Sequence, residues 1–172
     1  MYKGELMEDE KWTPIKALGR ARKSINDLMI PELLVDTSDR PHLVFSDVFN
    51  SDNKKLEEYL VMYSGFKAYL ERELSKRESE RNTLEAAFEE GYSKAMFTLY
   101  KEREVEGKKK PVKEEIRGEI FIKYPGLENR RKEIIEKEIS VRELGGLLST
   151  YTTAYNTISR IVALRTYGVK NE

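Results

Sequence analysis

The chain has no cysteine and only one histidine, His42, among its 172 residues. The lack of cysteine excludes a disulfide framework and any thiolate metal site. One histidine cannot build a histidine-rich metal centre within one chain. Its position directly after Pro41 is more typical of a surface or packing residue than of a catalytic one.

Long apolar runs are also absent. No segment is apolar over the roughly 20 residues that a membrane-spanning helix needs. The first residues, Met1–Glu5, lack the apolar core of a secretory signal. We therefore expect a cytoplasmic protein without a membrane partner.

Motifs of catalysis and cofactor binding are missing as well. No glycine-rich loop follows a strand in the manner of a phosphate-binding turn. Adjacent glutamates, such as Glu57 and Glu58, point in different directions on a helix. Glu85 and Glu89 have no histidine or further acid at the spacing of a helical-bundle metal motif, so a solvated face explains them better. The sequence predicts no catalytic residues, no metal and no cofactor, and we do not expect an enzyme.

Charge is abundant but balanced. Lysine and arginine number 31, aspartate and glutamate also number 31, and charged residues form 36% of the chain. Apolar residues form 39%, which is enough to build a core. The length fits one domain, or one domain with an arm. Net charge therefore says nothing about nucleic acid, and the distribution of charge along the chain has to decide that question.

A first apolar stripe predicts a long helix over residues 52–101. Its spacing of three or four keeps the side chains on one face, with N-cap candidates at Ser51–Asn53. Arg77 and Arg81 make the stripe polar for about two turns. The stripe consists of Leu56, Leu60, Tyr63, Phe66, Leu70, Leu74, Leu84, Phe88, Tyr92, Ala95 and Leu99.

A polar connector over residues 102–126 separates this helix from the next. It carries the basic run Lys108–Lys110, which is typical of a soluble loop. Pro111 suits the first turn of a short helix through Ile116–Ile120. Tyr124–Gly126 is a turn signal.

A second stripe predicts a helix over residues 127–166. Gly145 and Gly146 interrupt it and cost about 1 kcal/mol each against alanine, so they indicate either close helix contact or a kink. The stripe consists of Leu127, Ile134, Val141, Leu144, Leu148, Tyr151, Tyr155, Ile158, Val162 and Arg165.

Together these patterns predict a mainly α fold, a long antiparallel coiled-coil-like helical hairpin over residues 52–172 that self-associates. Residues 1–51 form a smaller irregular segment with a short helix within Trp12–Leu28. Leu33–Val35 and Leu43–Phe45 are either strands or extended segments packed on the helices.

A basic cluster marks the N-terminal segment. Between Lys11 and Asn26 there are five bases and no acid, and Trp12 lies beside them. Bases near an aromatic ring are the combination used by single-strand binders, although an ordinary solvated arm would show the same pattern. The nucleic-acid-binding candidates in this segment are Lys16, Arg20, Arg22 and Lys23.

The C-terminal stretch is nearly free of acids. After Glu138, Glu143 is the only acid before Glu172, while arginines and hydroxyl side chains remain. Such a helix could lie along a phosphate backbone, with Arg160 and Arg165 as contacts. The alternative is a buried oligomer interface, which is depleted in charge and enriched in tyrosine. We assign to that interface Leu144, Leu148, Tyr151, Tyr155 and Ile158.

The same stretch resembles the end of UvsY-type recombination mediators of tailed phages. The similarity lies in Leu144–Leu148, Tyr155, Ile158–Arg160 and Arg165–Tyr167, and the helix–connector–helix organisation extends it over residues 56–170. The chain departs from the family in its N-terminal fifty residues and in the segment Pro111–Tyr124.

The resemblance implies a homo-oligomer that binds single-stranded DNA in the host cytoplasm and loads a RecA-like recombinase onto strands coated by a single-strand binding protein. Our first hypothesis is therefore a non-enzymatic accessory factor in recombination or replication. The alternative is a coiled-coil assembly, scaffold-like or adaptor protein without a nucleic-acid role. A weaker option is a regulator that docks one long helix on another protein.

Overall fold

A computed structural model describes residues 12–28, 48, 50–107 and 112–169 of the chain. The described residues form four α-helices and no strand: α1 (Pro14–Asn26), α2 (Asn53–Val105), α3 (Lys113–Lys123) and α4 (Pro125–Val169). The prediction of a mainly α fold with long helices is confirmed. The apolar runs 33–35 and 43–45, the basic run 108–110, Pro111 and His42 lie outside the described residues.

Local signals explain where the helices begin. Thr13 Oγ1 accepts the Lys16 backbone N–H at 3.3 Å, and Pro14 occupies the first position of α1. Asp52 Oδ1 accepts the Lys55 N–H at 2.7 Å, which caps α2 within the predicted 51–53 segment. α2 ends before Gly107, whose φ of 66° lies in the left-handed region that favours glycine.

The turn between α3 and α4 is tighter than the sequence predicts. Only Tyr124 separates the two helices, and its N–H donates to the Ile120 carbonyl at 2.7 Å. Pro125 begins α4, two residues before the predicted start. Proline is favoured there because the first helical N–H has no partner within the helix.

The contacts divide the chain into two compact units. Unit 1 contains residues 1–23 and 77–140, and unit 2 contains residues 24–76 and 141–172. Neither boundary falls between residues 51 and 52, where the sequence suggests a division.

In unit 2, α2 and α4 run antiparallel around an apolar core. Arg165 meets the Ser51 carbonyl at 2.6 Å, and the rings of Tyr63 and Tyr151 lie 5.8 Å apart, so rising numbers on α2 meet falling numbers on α4. The core is formed by Ile25, Val48, Leu56, Tyr63, Leu70, Leu144, Tyr151, Ala154 and Ile158.

In unit 1, α2 and α4 are again antiparallel and α3 packs on them. Lys137 donates to Glu80 at 2.5 Å, while Leu127 lies next to Gly91 farther along α2. The smaller core here is formed by Ala95, Leu99, Ile116 and Ile120. Lys123 pairs with Glu102 at 2.5 Å and joins α3 to α2. That hydrogen bond raises the pKa of the Lys123 ammonium.

Candidate nucleic-acid interface

The solvent side of α4 in unit 2 is a continuous face without acidic side chains. Its members recur every three or four residues, so they share one side of the helix. No exposed side chain from residue 142 to residue 167, a stretch that is fully described, is acidic. We call this the acid-free face: Arg142, Gly146, Ser149, Thr153, Asn156, Arg160, Leu164 and Tyr167.

The opposite side of α4 fills the core of unit 2. Leu144 and Ile158 are fully buried, and Tyr151 is 2% exposed. Leu148 and Tyr155 are partly buried and pack against the same core. The sequence assigned these five residues to an oligomer interface. That assignment is corrected for Leu144, Tyr151 and Ile158, whose side chains are buried within the chain itself, because α2 supplies the matching apolar stripe.

Burial also changes the acidity of one core tyrosine. The loss of water around the Tyr151 hydroxyl raises its pKa to about 12, and the neighbouring Tyr63 adds to the effect. The phenol therefore stays neutral well above physiological pH.

Four of the five threonine hydroxyls of α4 are engaged with their own helix. Thr153 donates to the Ser149 carbonyl at 3.0 Å and Thr157 to the Thr153 carbonyl at 2.9 Å. Thr150 and Thr166 make the same contact four residues back. A phosphate oxygen needs hydrogen-bond donors, and these hydroxyl protons already point to carbonyl groups. Phosphate contacts on the acid-free face would therefore come first from its arginines.

Of the two arginines that the sequence singles out on α4, only Arg160 belongs to the acid-free face. Arg165 is half-buried, and its guanidinium donates to the Ser51 carbonyl at 2.6 Å and to Asn53 Oδ1 at 3.4 Å. These bonds satisfy a buried carbonyl just before α2. The geometry gives Arg165 a place in the packing of unit 2. Arg142 is the arginine of the acid-free face that the sequence did not select, and it interacts with another group of the chain.

The N-terminal bases lie on α1, within unit 1. Arg20 forms an ion pair with Glu136 of α4. Arg22 and Lys23 are exposed, Lys16 is half-buried, and Lys16 and Arg22 each interact with another group of the chain. Lys11, the fifth base of this cluster, lies outside the described residues.

Trp12 is fixed by the same carboxylate. Its indole N–H donates to Glu136 Oε1 at 2.8 Å, and the side chain is half-buried. The basic cluster has no acid of its own in sequence, but α4 places the carboxylate of Glu136 beside it. Sequence reasoning missed this contact. Lys16, Arg20, Arg22 and Lys23 belong to unit 1, whereas Arg160 and Arg165 belong to unit 2.

Among the described residues there is neither a cluster that could bind a metal nor a helix that could span a membrane. Histidine and acidic side chains form no group of three that could hold a metal ion in these parts of the chain. None of the described helices is both long and apolar enough to cross a membrane.

The described residues define a mainly α protein in which long antiparallel helices carry one acid-free solvent face. No family model matches the chain, and neither a curated protein nor a solved structure does.

Proposed function

We propose that the protein is a non-enzymatic factor that binds single-stranded DNA and assists recombination or replication. The observation that carries this proposal is the acid-free face of α4. Arg142 and Arg160 lie on it about five turns apart, and Glu143, the one acid between them on the helix, is half-buried. A phosphate chain along this face would meet guanidinium groups and no carboxylate of the face itself.

The resemblance to UvsY-type mediators supports the same function. It concentrates on Leu144–Lys170, and this part of the chain contains every residue of the acid-free face except Arg142. On this proposal the protein acts as a homo-oligomer, with a RecA-like recombinase and a single-strand binding protein as partners. Arg160 contacts the strand, and Arg165 holds the end of α4 against the beginning of α2.

A salt titration tests the proposal. Fluorescence anisotropy of labelled oligo(dT) should show binding at 50 mM salt that weakens steeply as salt rises, since counterions are released from the phosphates. Replacing Arg142 and Arg160 by alanine should make the log–log salt slope shallower by about 1.4, because each lost phosphate contact removes about 0.7 for a single strand.

Arg72→Ala is the matched control. Arg72 is an exposed arginine of unit 2, but it lies on α2 outside the acid-free face. Its replacement should leave the slope unchanged. Absence of binding by the unaltered protein at 50 mM salt contradicts the proposed function.

A second candidate function is that of a helical assembly or adaptor protein. It is favoured by Leu164 and Tyr167, which are 65% and 69% exposed at the end of the acid-free face. Aromatic and apolar side chains with few charges around them are typical of protein interfaces. The internal bonds of Arg20 and Arg165 also fit a structural role for these bases.

One measurement separates the two candidates. Mass photometry with and without a 40-residue single strand reports assembly and DNA binding together. A defined oligomer that ignores the strand, and that dissociates when Leu164 and Tyr167 are replaced by serine, supports the assembly protein. A mass increase on addition of the strand supports the DNA-binding factor.

A further inference from the structure

A second surface, in unit 1, has the composition of a small-ligand site. An open cleft of about 390 Å³ lies where α2, α3 and α4 meet. This volume falls within the range of roughly 300–1,000 Å³ that is usual for small-molecule sites. The cleft is lined by Phe88, Glu89, Tyr92, Glu114, Arg117 and Arg131.

Aromatic rings form one side of this aromatic–arginine cleft. Phe88 and Tyr92 lie one turn apart on α2 and stack with centroids 5.6 Å apart and planes inclined by 26°. Tyr92 continues to Phe121 of α3 at 6.4 Å. Phe88 is buried, whereas Tyr92 and Phe121 keep part of their surface exposed. The wall therefore offers flat aromatic surface to a planar ligand.

Two guanidinium groups converge at the same place. Arg117 of α3 and Arg131 of α4 lie 5.8 Å and 6.0 Å from the centroid of Phe121. Each guanidinium is attracted to the face of the ring, but two like charges near one ring also repel each other. An anion bound between them would remove that repulsion, and the planar fork of arginine suits a phosphate.

Two carboxylates complete the lining. Glu89 and Glu114 are exposed at the cleft and accept hydrogen bonds only. A ligand that fits must therefore combine an anionic group, a flat ring and a hydrogen-bond donor. Inorganic phosphate has no flat ring. A nucleotide has all three: adenine, cytosine and guanine carry an exocyclic amine with two donor hydrogens, whereas thymine offers only its ring N–H as a donor.

We propose that the aromatic–arginine cleft binds one unpaired nucleotide whose base carries an exocyclic amine. The base stacks on Tyr92, the phosphate lies between Arg117 and Arg131, and the exocyclic amine donates to Glu89 or Glu114. Stacking on an aromatic side chain is a common way in which proteins hold an unpaired base. Where the nucleotide is part of a DNA strand, this inference rests on the proposed function. Binding of a free mononucleotide does not depend on it.

Calorimetric titration of the full chain with mononucleotides tests the cleft itself. Saturable binding of dCMP and dAMP is expected, with affinity for dTMP at least fivefold weaker and no saturable heat from inorganic phosphate. Arg117→Gln with Arg131→Gln keeps most of each side-chain stem over Phe121 but removes both charges, and should weaken dCMP binding at least tenfold. Arg117→Lys with Arg131→Lys keeps the charge without the planar fork and should give an intermediate loss.

Arg130→Gln is the matched control, because Arg130 is exposed and directly precedes Arg131 on α4 without lining the cleft. It should bind dCMP as the unaltered protein does. Circular dichroism and the emission of Trp12, the only tryptophan, check that each variant is folded.

The same variants distinguish the two proposals. Labelled oligo(dC) should bind more tightly than oligo(dT), and the double glutamine variant should abolish this difference. If oligonucleotides bind but mononucleotides give no saturable heat and the double variant changes nothing, the cleft inference is wrong and the proposed function stands. If mononucleotides bind in the cleft but no oligonucleotide binds at 50 mM salt, the proposed function is wrong and the cleft inference stands.

Discussion

Trp12 donates its indole N–H to the carboxylate of Glu136 at 2.8 Å, across 124 positions of sequence. The same carboxylate forms an ion pair with Arg20. One acidic side chain of α4 therefore fixes both the aromatic ring and a base of the N-terminal cluster. The ring that the sequence offers as a stacking platform is held within the packing of unit 1.

Removal of this carboxylate should loosen Trp12 and Arg20. Glu136→Ala takes away a partly buried hydrogen bond and an ion pair that is partly exposed, so we expect a loss of about 1–2 kcal/mol in the free energy of unfolding. Glu136→Gln keeps an acceptor oxygen for the indole and should cost less. Urea denaturation, followed by Trp12 emission, measures both values.

Glu133→Ala provides the control, since Glu133 is an exposed acid of α4 about one turn earlier. It should leave both the emission maximum and the denaturation midpoint of the protein unchanged. Equal midpoints for Glu136→Ala and Glu133→Ala would show that the Trp12–Glu136 bond contributes nothing.

Replacement of Leu144 tests whether the second apolar stripe packs in the core of unit 2. The side chain is fully buried, so Leu144→Ala should destabilise the protein by about 2–5 kcal/mol through lost transfer energy and the cavity left behind. Leu164→Ala, at a position that is 65% exposed, should change stability by no more than about 0.5 kcal/mol. Urea midpoints at constant slope give both values. A folded, fully stable Leu144→Ala protein with an altered oligomeric state would instead support the interface.

Ionisation of Tyr151 should lower the free energy of unfolding at alkaline pH. Its pKa of about 12 in the fold exceeds the ordinary value of 10, so the folded state holds the proton more tightly than the unfolded chain. This contribution is fully present below pH 10 and is lost as pH rises from 10 through 12. It amounts to roughly 2–3 kcal/mol.

The Tyr151→Phe variant lacks the ionising group, so its stability should decline less between pH 9.5 and pH 11.5, whatever the substitution costs at neutral pH. Urea unfolding at these two pH values measures the decline. Tyr167→Phe, at an exposed position, should follow the unaltered protein. Parallel declines in all three proteins would exclude a raised pKa at Tyr151.

The glycines of the two long helices should respond differently to alanine. A Cβ added at Gly145 or Gly146 meets no atom within 4 Å, so alanine at each should stabilise α4 by about 0.5–1 kcal/mol. A Cβ at Gly91 would lie 3.0 Å from Leu127 Cδ2, so the gain in helix propensity there should be largely cancelled. Thermal unfolding of the three variants measures the contrast. Destabilisation by alanine at positions 145 and 146 would show that these glycines contact another molecule.

The helices themselves could be predicted from sequence, because apolar spacing and capping residues are local signals. Asp52 caps α2 inside the expected segment, and the buried residues Leu56, Tyr63 and Leu70 all belong to the predicted stripe. The expected close contact at Gly145 and Gly146 is not found within the chain: a Cβ added at either glycine meets no atom within 4 Å, and α4 continues as helix through both. The close approach lies at Gly91.

Partners that are distant in sequence could not be predicted. The polar break at Arg77 is visible in the stripe, but its acceptor, the hydroxyl of Ser140, lies on a helix 63 positions away. The apolar stripe of α4 could equally have been covered by a second subunit or by α2, since both supply the same kind of surface. The aromatic–arginine cleft is lined by side chains from three helices, so the spacing of residues along any one helix does not predict it.

The pairing of Arg165 with the Ser51 carbonyl has a consequence for the order of folding. This contact closes a loop of 114 positions, whereas the ion pair of Arg103 with Glu119 closes one of only 16. Loop-closure entropy makes the longer contact costlier by about 2 kcal/mol before any packing gain. The corner between α2 and α3 should therefore form early, and the core of unit 2 should close late. The fold of this helical protein depends on contacts between residues that are far apart in sequence, so we expect it to fold slowly.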